Sequence, residues 1–198
     1  MLSYLENVDV NDYSEEIGFY LPVQRVCRPD YSFREFQGQI ETKSAFKGQA
    51  VTVQLDREVD VSRGSVIEKD SGLEISSSIT AALIWMDDKP LNNGGSFFIK
   101  TGTNLIPGLV AKILHKIDIN TGELCDSDVL IKNEIAICKI SFTDKITIDK
   151  FNRHKTTGEL ILIDRVTFMT SACGVVEDYT RSGIITENRI SPKRPKRN

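Results

Sequence analysis

The sequence has no long hydrophobic run. Nothing in its 198 residues approaches the ~18 consecutive apolar residues that a bilayer-spanning helix needs. The first ten residues hold Glu6 and Asp9 and no basic group, so they do not read as a signal peptide. A soluble cytoplasmic protein is the expectation. Metal-ligating side chains are scarce too. There are four cysteines, two histidines and no Cys-x-x-Cys pair. A zinc site needs clustered ligands that converge on one tetrahedral ion, so none is expected. Cys27, Cys125, Cys138 and Cys173 read as reduced thiols. Cys138 and Cys173 lie in apolar runs, where a thiol packs as a small hydrophobe. Cys27 sits beside Arg25 and Arg28, which could lower its pKa, but no general base lies nearby in sequence.

Charge is nearly balanced, at a net −3, but it is unevenly distributed. From Tyr179 to Asn198 six lysines and arginines stand against Glu187 alone. The other 178 residues carry 19 cations and 27 carboxylates. Such an acidic body does not attract polyanions, so nucleic-acid binding would rest on the tail. The tail has no aromatic residue beyond Tyr179 for stacking on bases, and nucleic acid is not the expected partner. Its end, Ser191 to Asn198, is too charged and proline-rich to pack and reads as disordered.

What is present is alternation. Phe19, Leu21 and Val23 alternate with Tyr20, Pro22 and Gln24, as a strand does. The same holds for Phe36 to Glu41 and for Val51, Val53 and Leu55. Only Leu2 to Val8 suggests a helical turn. Arg63-Gly64 reads as a turn before Val66 and Ile67, and residues 68–78 as a polar linker. Next, Ile79, Ala81, Leu83 and Trp85 share one face. Asp87 to Pro90 and Asn92 to Gly95 are turn chemistry, followed by a short strand from Ser96 to Lys100. Leu109, Ala111, Ile113, His115, Ile117 and Ile119 hold a period of two, which predicts one long strand with these six on one face. Ile135 to Phe142, Gly158 to Asp164 and Phe168 to Val176 complete the set. Short strands with turns every 8–12 residues predict an all-β antiparallel barrel or sandwich.

The chemistry-bearing residues form no constellation. Gly94 to Thr101 approaches the phosphate-loop pattern Gly-x-x-x-x-Gly-Lys-[Ser/Thr], but Ile99 replaces the second glycine and the segment reads as a strand. His115 lies on a strand face and reads as packed or at a rim. His154, in Asn152-Arg153-His154-Lys155, reads as part of a solvated turn. Asp87 and Asp88 are adjacent in a turn, so their side chains should diverge rather than share a proton. Asp164-Arg165 reads as a strand-end ion pair of little energy. Trp85 reads as core. No catalytic, nucleotide-binding or metal site is expected, and no cofactor.

The string Phe19 to Arg34, FYLPVQRVCRPDYSFR, resembles one family. It is similar to the second domain of the large, GTP-binding subunit of bacterial sulfate adenylyltransferase (ATP sulfurylase). That subunit is built like elongation factor Tu, with a G domain followed by two β-barrels. Gly48 to Leu55 with Val59 to Gly64 resembles the end of the same barrel. Ala82 to Asp87, Lys100 to Thr103, His115 to Thr121, Asn133 to Ile135 and Ile161 to Arg165 resemble the third domain. Tyr4-Leu5-Glu6 with Val8 resembles the last helical turn of the G domain.

The resemblance implies a division of the chain: 1–16 a remnant of the G-domain C-terminus, 17–69 a shortened domain-2-like barrel, 70–78 a linker, 79–177 a domain-3-like barrel and 178–198 a basic tail. Relative to the family pattern, the barrel of 17–69 lacks its middle strands. These 198 residues hold no phosphate-binding loop, no Asp-x-x-Gly and no Asn-Lys-x-Asp, so GTP binding is not carried over. In the family, the small subunit converts ATP and sulfate to adenosine 5′-phosphosulfate, and the large subunit couples GTP hydrolysis to that reaction. The expected role is therefore a non-catalytic, structural or partner-binding module. Its expected partners are the small catalytic subunit, a separate G domain, or a second copy of this chain through self-association. The alternative is a stand-alone β-barrel adaptor whose basic tail binds a polyanion.

Overall fold

The computed structural model of the protein describes residues 19–26, 51–53 and 60–180. The helical turn expected at Leu2 to Val8, the strand expected at 36–41, Cys27, most of the expected shortened barrel and most of the tail expected to be disordered lie outside them. Within the described residues the expectation of an all-β fold holds. β1 (Phe19–Pro22) pairs antiparallel with β2 (Val66–Lys69) as a separate ribbon, Tyr20 lying opposite Glu68. Val51–Val53, expected in a strand, is not one.

The remaining strands build a barrel. They are β3 (Glu74–Trp85), β5 (Gly95–Thr101), β6 (Asn104–Ile117), β9 (Ile135–Ile148), β10 (Glu159–Asp164) and β11 (Thr170–Tyr179). Round the sheet the order is β5, β10, β11, β3, β9, β6, and β6 returns to β5, so six antiparallel strands close on themselves. Closure leaves no free edge among these six, which is how small β proteins avoid edge-to-edge pairing. Two short pieces, β4 (Leu91–Asn92) and β8 (Val129–Leu130), pair outside this sheet. Another, β7 (Leu124–Cys125), pairs antiparallel with the C-terminal end of β6. Among the described residues the single helical turn is α1 (Lys155–Gly158).

Alternation fills the barrel. Ile79, Ala81, Leu83 and Trp85 of β3 are all buried, as their spacing predicts. They meet Phe97 and Ile99 of β5, Cys138, Ile140 and Phe142 of β9, and Leu160 and Leu162 of β10. Trp85 is core: its ring meets Phe97 edge-on at 5.7 Å and its Nε1–H donates to the Lys89 carbonyl at 2.8 Å. Buried indole N–H groups need such a partner. Where strands crowd, only glycine fits. A Cβ on Gly174 would lie 2.3 Å from the Ala82 carbonyl oxygen.

Three sequence readings need correction. The face expected along 109–119 does not run unbroken. Ile113 is 1% exposed and Lys112 faces solvent, but Leu109 is 40% exposed while Val110 is buried. The register of β6 on β9 shifts between Val110 and Lys112 and again between Ile113 and His115. Each bulge adds one residue and reverses the faces beyond it. Second, Glu74 to Ser78, read as linker, belong to β3. Ser76 serves another bulge there, its buried hydroxyl lying 2.7 Å from the Ser78 and Thr180 carbonyls. Third, β11 begins at Thr170, not Phe168, so Phe168 and Met169 belong to the preceding turn.

Candidate functional site

Two places gather side chains that sequence spacing did not bring together. The first is buried. His154 was expected in a solvated turn but is 0% exposed. The segment between β9 and α1 folds back under the sheet, with the His154 N–H on the Lys150 carbonyl and the Phe151 N–H on the Val176 carbonyl. The His154 Nδ1–H donates to Asp149 Oδ2 at 2.7 Å. Asp149, also fully buried, accepts from the Lys150 N–H at 2.7 Å, the Tyr179 hydroxyl at 3.3 Å and the Arg153 guanidinium at 3.4 Å. Tyr20 of β1 meets the His154 ring edge-on at 5.2 Å. A carboxylate and an imidazole bonded in this way resemble part of a catalytic relay. Here both are shut off from solvent, so no substrate can reach them. The arrangement satisfies a buried charge and ties the β1–β2 ribbon to the barrel.

The second place is exposed. β10 and β11 are joined by a turn whose tip is apolar: Val166 is 84%, Phe168 70% and Met169 67% exposed. Asp164 builds the turn. Its Oδ1 accepts from the Val166 N–H at 2.9 Å, the Thr167 N–H at 2.7 Å and the Thr167 hydroxyl at 3.0 Å. The bonds from the Thr167 and Val166 N–H groups and the Thr167 hydroxyl hold its carboxyl below the ordinary 3.8. The backbone closes through Phe168 N–H to Asp164 C=O and Asp164 N–H to Met169 C=O. Phe168 has φ 58°, in the left-handed region that a bulky side chain seldom occupies. Its ring stacks with Phe98 at 6.1 Å, and Arg165 lies over the Phe98 ring at 5.3 Å.

The expected Asp164–Arg165 ion pair is therefore absent: Asp164 caps the turn, and Arg165 donates to the Ser96 hydroxyl at 3.0 Å. Asp87 and Asp88 diverge as expected, Asp87 accepting from Ser171 and Asp88 pairing with Lys132. His115 is exposed, 3.5 Å from Asp126. Cys138 is buried, and burial pushes its thiol up to about 12. Cys125 is exposed and Cys173 half-buried. No group of three metal-ligating side chains converges among the described residues. No helix among them is long and apolar enough to cross a membrane. The apolar tip went unrecognised because Phe168 and Met169 continue the hydrophobic pattern of β11. The Asp164-x-x-Thr167 turn spacing was the available signal.

Comparison with known proteins places this geometry among relatives. Residues 78–177 match the family described as GTP-eEF1A C-terminal domain-like. The chain is 31% identical to sulfate adenylyltransferase subunit 1 of Francisella tularensis subsp. novicida, over 89% of this chain and 44% of that protein. It is 32% identical to the protein of the same name from Pseudoalteromonas atlantica, over 94% of this chain and 47% of that protein. The chain thus spans about half the length of the curated relatives it matches, and it fits their C-terminal part. Among solved structures, Sup35 complexed with GMPPNP is similar with a TM-score of 0.55, at 20% identity, over 61% of this chain and 30% of that one. At that identity the likeness concerns the fold alone.

Proposed function

The chain belongs to the GTP-eEF1A C-terminal domain-like family, and from that premise we propose that it is a non-catalytic, partner-binding module of sulfate activation. In this reading it corresponds to the C-terminal barrels of the sulfate adenylyltransferase large subunit, divided as 17–69 and 79–177. It engages the small catalytic subunit, which forms adenosine 5′-phosphosulfate from ATP and sulfate. A separately supplied G domain is the second partner. The observation that carries this reading is the likeness to sulfate adenylyltransferase subunit 1 across 89% and 94% of this chain. Two features of the molecule support it. The histidine–carboxylate pair is sealed from solvent, and the two most exposed large apolar side chains among the described residues, Val166 and Phe168, sit on a hydrogen-bonded turn.

Co-expression with a tagged small subunit tests the reading. The chain is expected to co-purify at stoichiometric yield and, titrated alone with GTP and Mg²⁺, to release no binding heat. Micromolar GTP binding, or a small subunit recovered without the chain, would contradict it.

A further inference from the structure

Cross-strand register places the outward residues of β6, β5 and β10 in three rows. Leu109 lies opposite Ser96, Pro107 opposite Phe98, and Leu105 opposite Lys100. Phe98 in turn faces Ile163, and Lys100 faces Ile161. Leu105 and Leu109 are exposed, and Phe98, Pro107, Ile161 and Ile163 are partly so. The turn after β10 stands against this face, with Phe168 stacked on Phe98. The outside of the barrel here carries an apolar surface centred on Phe98, with Ser96 and Lys100 set on either side of it along β5. Apolar patches of this kind are rare on monomeric proteins and mark contact sites.

Its charged groups are mostly basic. Lys100 stands in the last row between Leu105 and Ile161, Arg165 lies over Phe98, Lys112 and Lys139 lie opposite each other beyond Leu109, and exposed Glu159 precedes Ile161 on the same side of β10. None of these four cations has a carboxylate partner among the described residues, whereas Lys116, Lys132 and Lys150 each pair with one. Asp164 is taken up by its turn. We propose that the outer β6–β5–β10 face, with the Arg165–Met169 turn, is the docking surface for a protein whose contact patch has an apolar centre and a carboxylate rim. A second copy of this chain fits poorly, because two such faces would bring cations against cations. The turn is already braced and Phe168 already held at φ 58°, so little ordering remains to oppose binding. This inference rests on the partner-binding reading and names the surface that performs it.

The test uses the full chain and the sulfate adenylyltransferase small subunit as the binding probe. Phe168→Asp is expected to weaken binding at least about tenfold, as loss of a central aromatic anchor does. The double variant Lys100→Glu, Arg165→Glu should weaken it similarly and flatten its salt dependence. Ile119→Asp, about as exposed but in the turn beyond the C-terminal end of β6, should bind within about twofold of wild type. These side chains are at the surface, so melting points should stay within a few degrees of wild type and show that each variant folds. If the wild type binds and Phe168→Asp binds equally well, the face is wrong while the module reading stands. If the wild type itself does not bind, the module reading fails and this surface assignment falls with it. A homodimer abolished by Phe168→Asp would overturn the choice of occupant.

Discussion

Ile113 and Lys112 are neighbours in sequence on opposite sides of a wall. Ile113 is 1% exposed in the barrel interior, while Lys112 faces solvent. Ile113→Asp would bury an unpaired carboxylate, at a cost of several kcal/mol or a forced protonation. Lys112→Asp should change stability by no more than about 0.5 kcal/mol. Thermal melts of the two variants check this, and similar midpoints would mean the register is wrong. Asp149 is the polar counterpart. Its carboxylate is fully buried and holds His154, Arg153 and Tyr179 together. Asp149→Ala should cost about 3–5 kcal/mol in a denaturant titration, because it strands buried donors. Thiol labelling probes the same interior. Cys125 should react within minutes at neutral pH, and Cys138, pushed up to about 12 by burial, only on unfolding. Trp85 and the face it shares with Ile79 were legible because β3 alternates without interruption through them. His154 was not, because burial of a histidine among polar neighbours depends on Asp149, five residues away, and on a chain reversal that no periodicity encodes.

The elements show where local pattern ends. β5, β9 and β10 begin within a residue of where turn chemistry and alternation put them. β6 was found but its faces were not, because a bulge reverses them without changing composition. Glu74 to Ser78 looked like linker because a serine that satisfies a bulge, as Ser76 does, is indistinguishable in sequence from serines in solvent. The β10–β11 turn yields its own prediction. The carboxyl of Asp164 is held below 3.8 by the N–H groups of Thr167 and Val166 and by the Thr167 hydroxyl. A depressed folded value means the stabilisation is complete above the unfolded value and is lost as pH falls through the folded one. The pH titration of the Thr167 amide resonance should therefore have its midpoint below 3.8, and Asp164→Ala should abolish the movement. A midpoint above 3.8 would contradict the geometry.

At the scale of the whole molecule the barrel closes through β5 on β6, and its interior leaves no room at the strand crossings. Gly174→Ala should accordingly destabilise strongly, since the added methyl meets the Ala82 carbonyl backbone rather than a movable side chain. Strand count and spacing left barrel and sandwich both open, and the family resemblance pointed to the barrel. The apolar face outside it was not legible, because it is assembled by register across three strands. In the proposed role, that face is the surface a partner would meet. Sedimentation velocity of the full chain mixed one-to-one with the sulfate adenylyltransferase small subunit tests this most directly. The account predicts one faster boundary containing both proteins, weakened by added salt. Two separate boundaries at micromolar concentration and low salt would contradict it.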